Sequence, residues 1–314
     1  MSSSSFSTIA QVANVTMGDG VDIFYRHAGN PANPVVLLLH GLPSSSFMFR
    51  NLIPLLAASF FVIAPDLPGF GFTTVPAGYV HTFDNMGRAL SGFLDAMEIS
   101  RFAAYVFDYG GPAGLRVALE RPDAFAALIV QNANAYEEGL DEVGWAEIRR
   151  YWASNSTEDR EALRIFFTLD ATKQQYLQGS PAPEKIQPES FTLDQALLER
   201  PGNIDLQLDL FFDYQTNVAL YPRFQEFFRT SGVPILLPWG LNDPFFTPAG
   251  AEAYGRDARV FEKHFLDASH FALETNEDRI AALIKDFLAR NNVFPPGNTA
   301  ASTTAASVLG APTL

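Results

Sequence analysis

Short apolar runs recur through the first part of the chain, at residues 21–26, 35–40, 60–64, 103–107 and 126–131. Their length and β-branched or aromatic content predict strands. Because they do not alternate strictly with polar residues, they read as strands buried on both faces. Between them, residues 48–58, 85–97 and 112–120 carry apolar positions at helical spacing. This strand–helix alternation predicts an α/β fold, with a mostly parallel sheet and helices on both faces.

From about residue 137 the pattern changes. Residues 137–232 are helical in character and rich in aromatics, and Pro181, Pro183, Pro188 and Pro201 punctuate them. Strand-like order returns at 233–239 and 259–266, and residues 277–291 predict a closing helix. The economical division is a core formed by 1–136 and 233–294, interrupted by a helical cap at 137–232. A separate second domain is disfavoured because core strands resume after the insert.

Composition narrows the picture. With 314 residues, 47% of them hydrophobic, the chain has enough apolar material for one large core. A formal charge of −14 argues against nucleic acid or an anionic membrane as a partner. There are no cysteines, so disulfides and thiolate chemistry are excluded. The start, Met1-Ser2-Ser3-Ser4-Ser5, lacks the charged and apolar regions of a signal peptide, and no apolar run is long enough to span a bilayer. A cytoplasmic protein, monomeric or homodimeric, is expected. Residues 295–314 are Pro-, Ala-, Thr- and Ser-rich with few large apolar groups, which predicts a disordered tail.

The strongest local signal is Tyr105-Val106-Phe107-Asp108-Tyr109-Gly110-Gly111-Pro112. An apolar strand runs into one acidic residue, a glycine pair and then a helix. A sharp strand-to-helix turn needs small residues just past its apex, and it lifts the apex side chain above a helix N-terminus. Taken alone, Asp108 reads better as a helix cap. Two further segments change that. His40-Gly41-Leu42-Pro43 follows a buried strand at the C-terminal edge of the sheet, where doubly wound folds bind ligands. Trp239-Gly240-Leu241-Asn242-Asp243-Pro244 ends another strand, and Ser269-His270-Phe271 follows the last. An aspartate, a later aspartate and a final histidine therefore share one edge. His27, His81 and His264 have no partners at metal-ligand spacing, and neither a metal nor a cofactor is expected. The loop Asp66-Leu67-Pro68-Gly69-Phe70-Gly71 lacks the spacing of a nucleotide-binding motif and reads as turn chemistry.

With these motifs together the chain resembles the epoxide hydrolase and haloalkane dehalogenase branch of the α/β-hydrolase superfamily. The likeness rests on HGLP at 40–43, DLPGFG at 66–71, VFDYGGP at 106–112, WGLNDP at 239–244 and SHF at 269–271, and spans about residues 12–291. It implies an α/β-hydrolase fold and a hydrolase in which Asp108 attacks an sp³ carbon to form an alkyl-enzyme ester. His270, oriented by Asp243, would then activate water to cleave that ester, with the oxyanion meeting the backbone N–H groups of Leu42 and Tyr109. His40 belongs to the oxyanion turn.

The resemblance leaves the leaving group open. Dehalogenases of this branch carry Asn or Glu after the His-Gly pair and Trp after the nucleophile, where this chain has Leu42 and Tyr109. Epoxide hydrolases use two cap tyrosines to hold the epoxide oxygen. Tyr214 resembles the second of these, and Tyr151 or Tyr176 would be the first. The expected substrate is a small apolar molecule, foremost an epoxide opened to a diol. A haloalkane is the alternative, and a non-hydrolytic cyclase, an isomerase or a ligand-binding protein on the same fold is a third.

Overall fold

The structure, a computed structural model, describes residues 6–295. Its centre is laid down by runs such as Val35–Leu39, five apolar residues with no solvent-facing position. Along this strand Val35, Leu37 and Leu39 join one apolar cluster, while Val36 and Leu38 join another. Alternate side chains thus feed opposite faces, which is why the run needs no polar residues.

Among the described residues the eight strands are β1 (Gln11–Thr16), β2 (Asp22–Ala28), β3 (Val35–Leu39), β4 (Phe61–Pro65), β5 (Phe102–Phe107), β6 (Phe125–Gln131), β7 (Ile235–Gly240) and β8 (Phe261–Leu266). They form one sheet in the order β1-β2-β4-β3-β5-β6-β7-β8. The β1/β2 and β2/β4 pairings are antiparallel, and all pairings from β4 onward are parallel. Strand β1 is absent from the sequence expectation. It lies at the sheet's edge, and its Val12 faces outward at 57% exposure, so its residues never form a buried run.

Helices α1 (Leu52–Ala57), α2 (Phe83–Ala96) and α3 (Gly110–Glu120) follow the early strands. The helix expected over 48–58 is split into a 3₁₀ turn, Ser46–Phe49, and α1. Pro54 explains the break. It fits in the first turn of α1, but its ring would clash with the carbonyl four residues back in a longer helix. Between β6 and β7 lie α4 (Ala146–Ser154), α5 (Thr157–Ala162), α6 (Leu169–Leu177), α7 (Pro188–Leu198), α8 (Asn203–Asp213) and α9 (Gln215–Ser231). Helices α10 (Pro248–Ala253) and α11 (Leu273–Arg290) are the last among the described residues. Helices α2 and α3 cover one sheet face with Phe83, Phe93 and Leu115, and α1 and α11 cover the other with Leu56, Ile284 and Phe287. Among the described residues no helix is long and apolar enough to cross a membrane. The tail expectation falls almost wholly outside the described residues.

Candidate active site

Asp108 occupies the turn between β5 and α3 with φ +46°, a left-handed conformation uncommon for a residue with a Cβ. Close approach of the neighbouring backbone enforces the glycines around it. A Cβ on Gly110 would overlap the carbonyls of Leu39 and His40, and one on Gly41 would strike the Asp108 carboxylate itself. The carboxylate does not fold back to cap α3. It reaches across to the turn after β3, where Oδ1 accepts a hydrogen bond from the Leu42 N–H at 2.6 Å. The Tyr109 N–H supports it as well. Burial pushes the Asp108 pKa up to about 6, against the pull of His270 and these two N–H donors, with Asp243 adding a smaller upward push.

His270 faces Asp108 across a common cavity and is buried. Its Nδ1 lies 2.7 Å from Asp243 Oδ2, a pairing in which the ring N–H donates to the carboxylate. Burial alone would lower the His270 pKa. The charge and hydrogen bond of Asp243, with the charge of Asp108, outweigh it, and the net direction is up. Asp243 has no idle oxygen. Its Oδ2 also accepts from Asn132 Nδ2 at 2.8 Å, and Oδ1 accepts from the N–H groups of Phe245 and Phe246 at 2.7 and 3.1 Å. Asn132 further bonds Gly240 in both directions, and Gln131 Nε2 donates to the His270 carbonyl at 2.8 Å. Both residues sit where β6 leaves the sheet. Neither is among the residues expected from sequence, although two polar residues ending an apolar run at the ligand-binding edge are a usable signal.

The cavity over Asp108 is small, about 50 Å³. Leu42 and Tyr109 line its core side, and Phe245 and Phe246 of the loop after β7 line another. The insert between β6 and β7 contributes Trp145, Ile148, Phe166, Phe211 and one amide, Gln175. Stacking on Phe246, with ring centroids 5.3 Å apart, fixes the plane of His270.

Of the sequence-derived candidates, the structure brings together Asp108, His270, Asp243, Leu42 and Tyr109. The remaining four lie outside the cavity lining. His40 is buried beneath the turn, with Nε2 accepting from the Leu67 N–H at 2.9 Å and Nδ1 3.2 Å from the Gly41 carbonyl, so both ring nitrogens are spent on tying two loops. Tyr176 hydrogen-bonds Asp194 at 2.5 Å and stacks on Phe271 at 3.8 Å, behind His270. Tyr151 packs on Phe212 and faces a separate, wider outer cleft. Tyr214 stands one layer back, 5.8 Å from the Tyr109 ring and 4.7 Å from Trp145. The hydroxyls of Tyr109, Tyr214 and Tyr221 are buried without a well-formed hydrogen bond, though Tyr214 and Tyr221 lie close enough to influence one another.

The comparisons agree with this architecture. Residues 34–277 match the family model for the alpha/beta hydrolase fold, and the chain belongs to that family. A Saccharomyces cerevisiae protein known only as an uncharacterized hydrolase is 47% identical over 90% of this chain and 99% of its own. Haloalkane dehalogenase 2 of Mycobacterium tuberculosis is 28% identical over 80% of this chain and 86% of its own. Among solved structures, the epoxide hydrolase CorEH superposes with a TM-score of 0.73 at 18% identity, covering 90% of this chain and 99% of the other; this likeness bears on the fold alone.

Proposed function

We propose that the protein is a hydrolase that opens a small, neutral epoxide to a diol through an ester on Asp108. One observation carries this reading: a carboxylate on a left-handed turn, one oxygen seated on the Leu42 N–H, facing the His270–Asp243 pair inside an apolar cavity. With Oδ1 held, Oδ2 is the oxygen left to attack carbon. Attack forms the Asp108–carbon bond and breaks the epoxide C–O bond, and the departing oxygen takes the proton of Tyr109, a residue of the cavity lining whose hydroxyl has no well-formed partner.

Esterification removes the charge of Asp108, one of the influences raising the His270 pKa, so His270 is released toward its neutral, basic form for the next step. It deprotonates water, which adds to Cγ of Asp108. The oxyanion occupies the Oδ1 position between the Leu42 and Tyr109 N–H groups. Collapse expels the diol with the proton from His270, and the new carboxylic acid returns a proton to the Tyr109 phenolate.

The cavity volume limits the substrate. A single water needs about 10–15 Å³ on this measure, so about 50 Å³ admits roughly three to five non-hydrogen atoms, the size of a short-chain terminal epoxide. The lining carries no lysine or arginine to receive a carboxylate, which disfavours acidic substrates.

Haloalkane hydrolysis by the same ester is the second reading, favoured by the dehalogenase relative and the apolar lining. One experiment separates the two. His270→Ala should allow ester formation but block its hydrolysis, so an adduct on Asp108 accumulates and can be read by intact-protein mass spectrometry. An epoxide adds its full mass, whereas a haloalkane adds its mass less HX. No adduct with any epoxide or haloalkane that the wild type consumes would sink the aspartyl-ester mechanism.

A further inference from the structure

A departing oxygen in an apolar cavity needs hydrogen-bond donors, because solvating it is what lowers the barrier to C–O cleavage. The donors lining this cavity are few. The Leu42 and Tyr109 backbone N–H groups are engaged by Asp108. The Trp145 indole N–H is spent on the Phe245 carbonyl at 2.9 Å. His270 has one nitrogen committed to Asp243 and needs the other for water. What remains is the Tyr109 hydroxyl and the side-chain amide of Gln175, the latter carried by α6 on the insert side.

Gln175 differs from its neighbours. Within α6, Thr172 and Tyr176 turn inward and bond Gln195 and Asp194, at 2.8 and 2.5 Å. The Gln175 amide enters no hydrogen bond with any described residue, yet it borders a cavity otherwise walled by Trp145, Ile148, Phe166 and Phe211. The Gln175 side chain is half-buried and without a protein partner at the edge of this apolar space, so its amide is free to donate to an acceptor on the cavity's occupant. The three tyrosines expected in that role, Tyr151, Tyr176 and Tyr214, are all outside the lining.

We infer that Gln175 is the donor from the insert that grips the leaving oxygen, opposite the Tyr109 hydroxyl, and that the pair selects epoxides whose oxygen reaches both groups. This inference rests on the aspartyl-ester reading and adds a residue to it. Gln175 gives a hydrogen bond only; no proton is transferred from it, and the proton balance through Tyr109 and His270 is unchanged. Its action belongs to ester formation. In the second step the ester carbonyl reacts at the Leu42 side, and the Gln175 amide meets only the finished hydroxyl.

That split between steps is what the experiment reads. In the His270→Ala background, 1,2-epoxybutane is added and the mass adduct on Asp108 is followed in time. Gln175→Met, similar in length and without a donor, should slow adduct formation by about 10²-fold. Gln175→Asn, which keeps an amide but shortens its reach, should fall between. With His270 intact, Gln175→Met should lower the steady level of adduct, because formation slows while hydrolysis does not. Equal adduct rates with and without the amide would overturn the assignment, as would equal slowing of both steps, which is what loosened packing of α6 produces. If the His270→Ala protein with Gln175 intact forms no adduct from any epoxide the wild type consumes, the aspartyl-ester reading falls, and the role of Gln175 falls with it.

Discussion

Asp108 shows how function and stability oppose each other at a single residue. Its folded pKa of about 6 lies above the ordinary carboxylate value, so the fold prefers the protonated form. The stabilisation is complete below the unfolded pKa near 4 and is lost as pH rises through about 6. At neutral pH the ionised carboxylate therefore costs on the order of 3 kcal/mol. Asp108→Asn should abolish turnover yet raise Tm by several degrees at pH 8, and the gain should shrink progressively as pH falls from about 6 to 4. Thermal melts across that range check the sign; a Tm advantage that grows toward low pH would contradict it. Turnover by the wild type should rise as pH passes through about 6, because only the ionised carboxylate attacks carbon. Asp108, Asp243 and His270 were legible from sequence because each lies within four residues of a strand's end, and strand ends share an edge. Gln175 was not legible, since nothing local to Gln174-Gln175-Tyr176 says which side chain turns inward.

At the scale of elements, a buried polar tie fastens the insert to the core. Arg50, in the turn after the 3₁₀ segment, forks onto Glu274 at 3.0 and 2.7 Å and onto Ser190 of α7 at 2.9 Å. Glu274 belongs to the first turn of α11, four residues beyond His270, and its side chain is only 2% exposed. Nearby, Asp194 of α7 holds Tyr176 of α6. Arg50, Ser190 and Glu274 are paired across 84 to 224 positions in sequence, so no local pattern could have announced them. The same separation explains why Tyr151, Tyr176 and Tyr214 could not be ranked in advance: which face of a cap helix meets the cavity depends on how six helices dock, not on any one of them. Removing one partner of the ion pair strands a buried charge. Arg50→Met should destabilise by about 3 kcal/mol, whereas Arg50→Met with Glu274→Leu should recover much of that loss because no charge remains buried. Urea unfolding of the two variants distinguishes this coupling from simple loss of packing, for which the second substitution would only add to the damage.

The whole molecule is one sheet sandwiched between two apolar clusters, and that much followed from alternating strand and helix signals with runs such as Val35–Leu39. Composition predicts a boundary at about residue 295, and the last of the described residues before it pack on the core. Val293 is buried in the cluster beneath α1 and α11, its carbonyl accepts from Arg101 at 3.2 Å, and Phe294 meets Phe60 with ring centroids 6.3 Å apart. Beyond Pro295 the sequence is mostly Ala, Ser, Thr, Gly and Pro, with Val308, Leu309 and Leu314 its large apolar residues, which offers the core little apolar area. A chain ending at Phe294 should keep its Tm within a degree or two and its turnover unchanged. A chain ending at Asn292 removes one fully buried aliphatic side chain and one aromatic contact, and should lose about 2–4 kcal/mol. Because only the first turn of the 18-residue α11 adjoins His270 while Val293 and Phe294 follow its other end, kcat should be preserved in that shorter chain below its melting range. A large fall in Tm on cutting at Phe294 would mean that the Val308-Leu309 pair docks on the core, and the boundary would then move outward to include it.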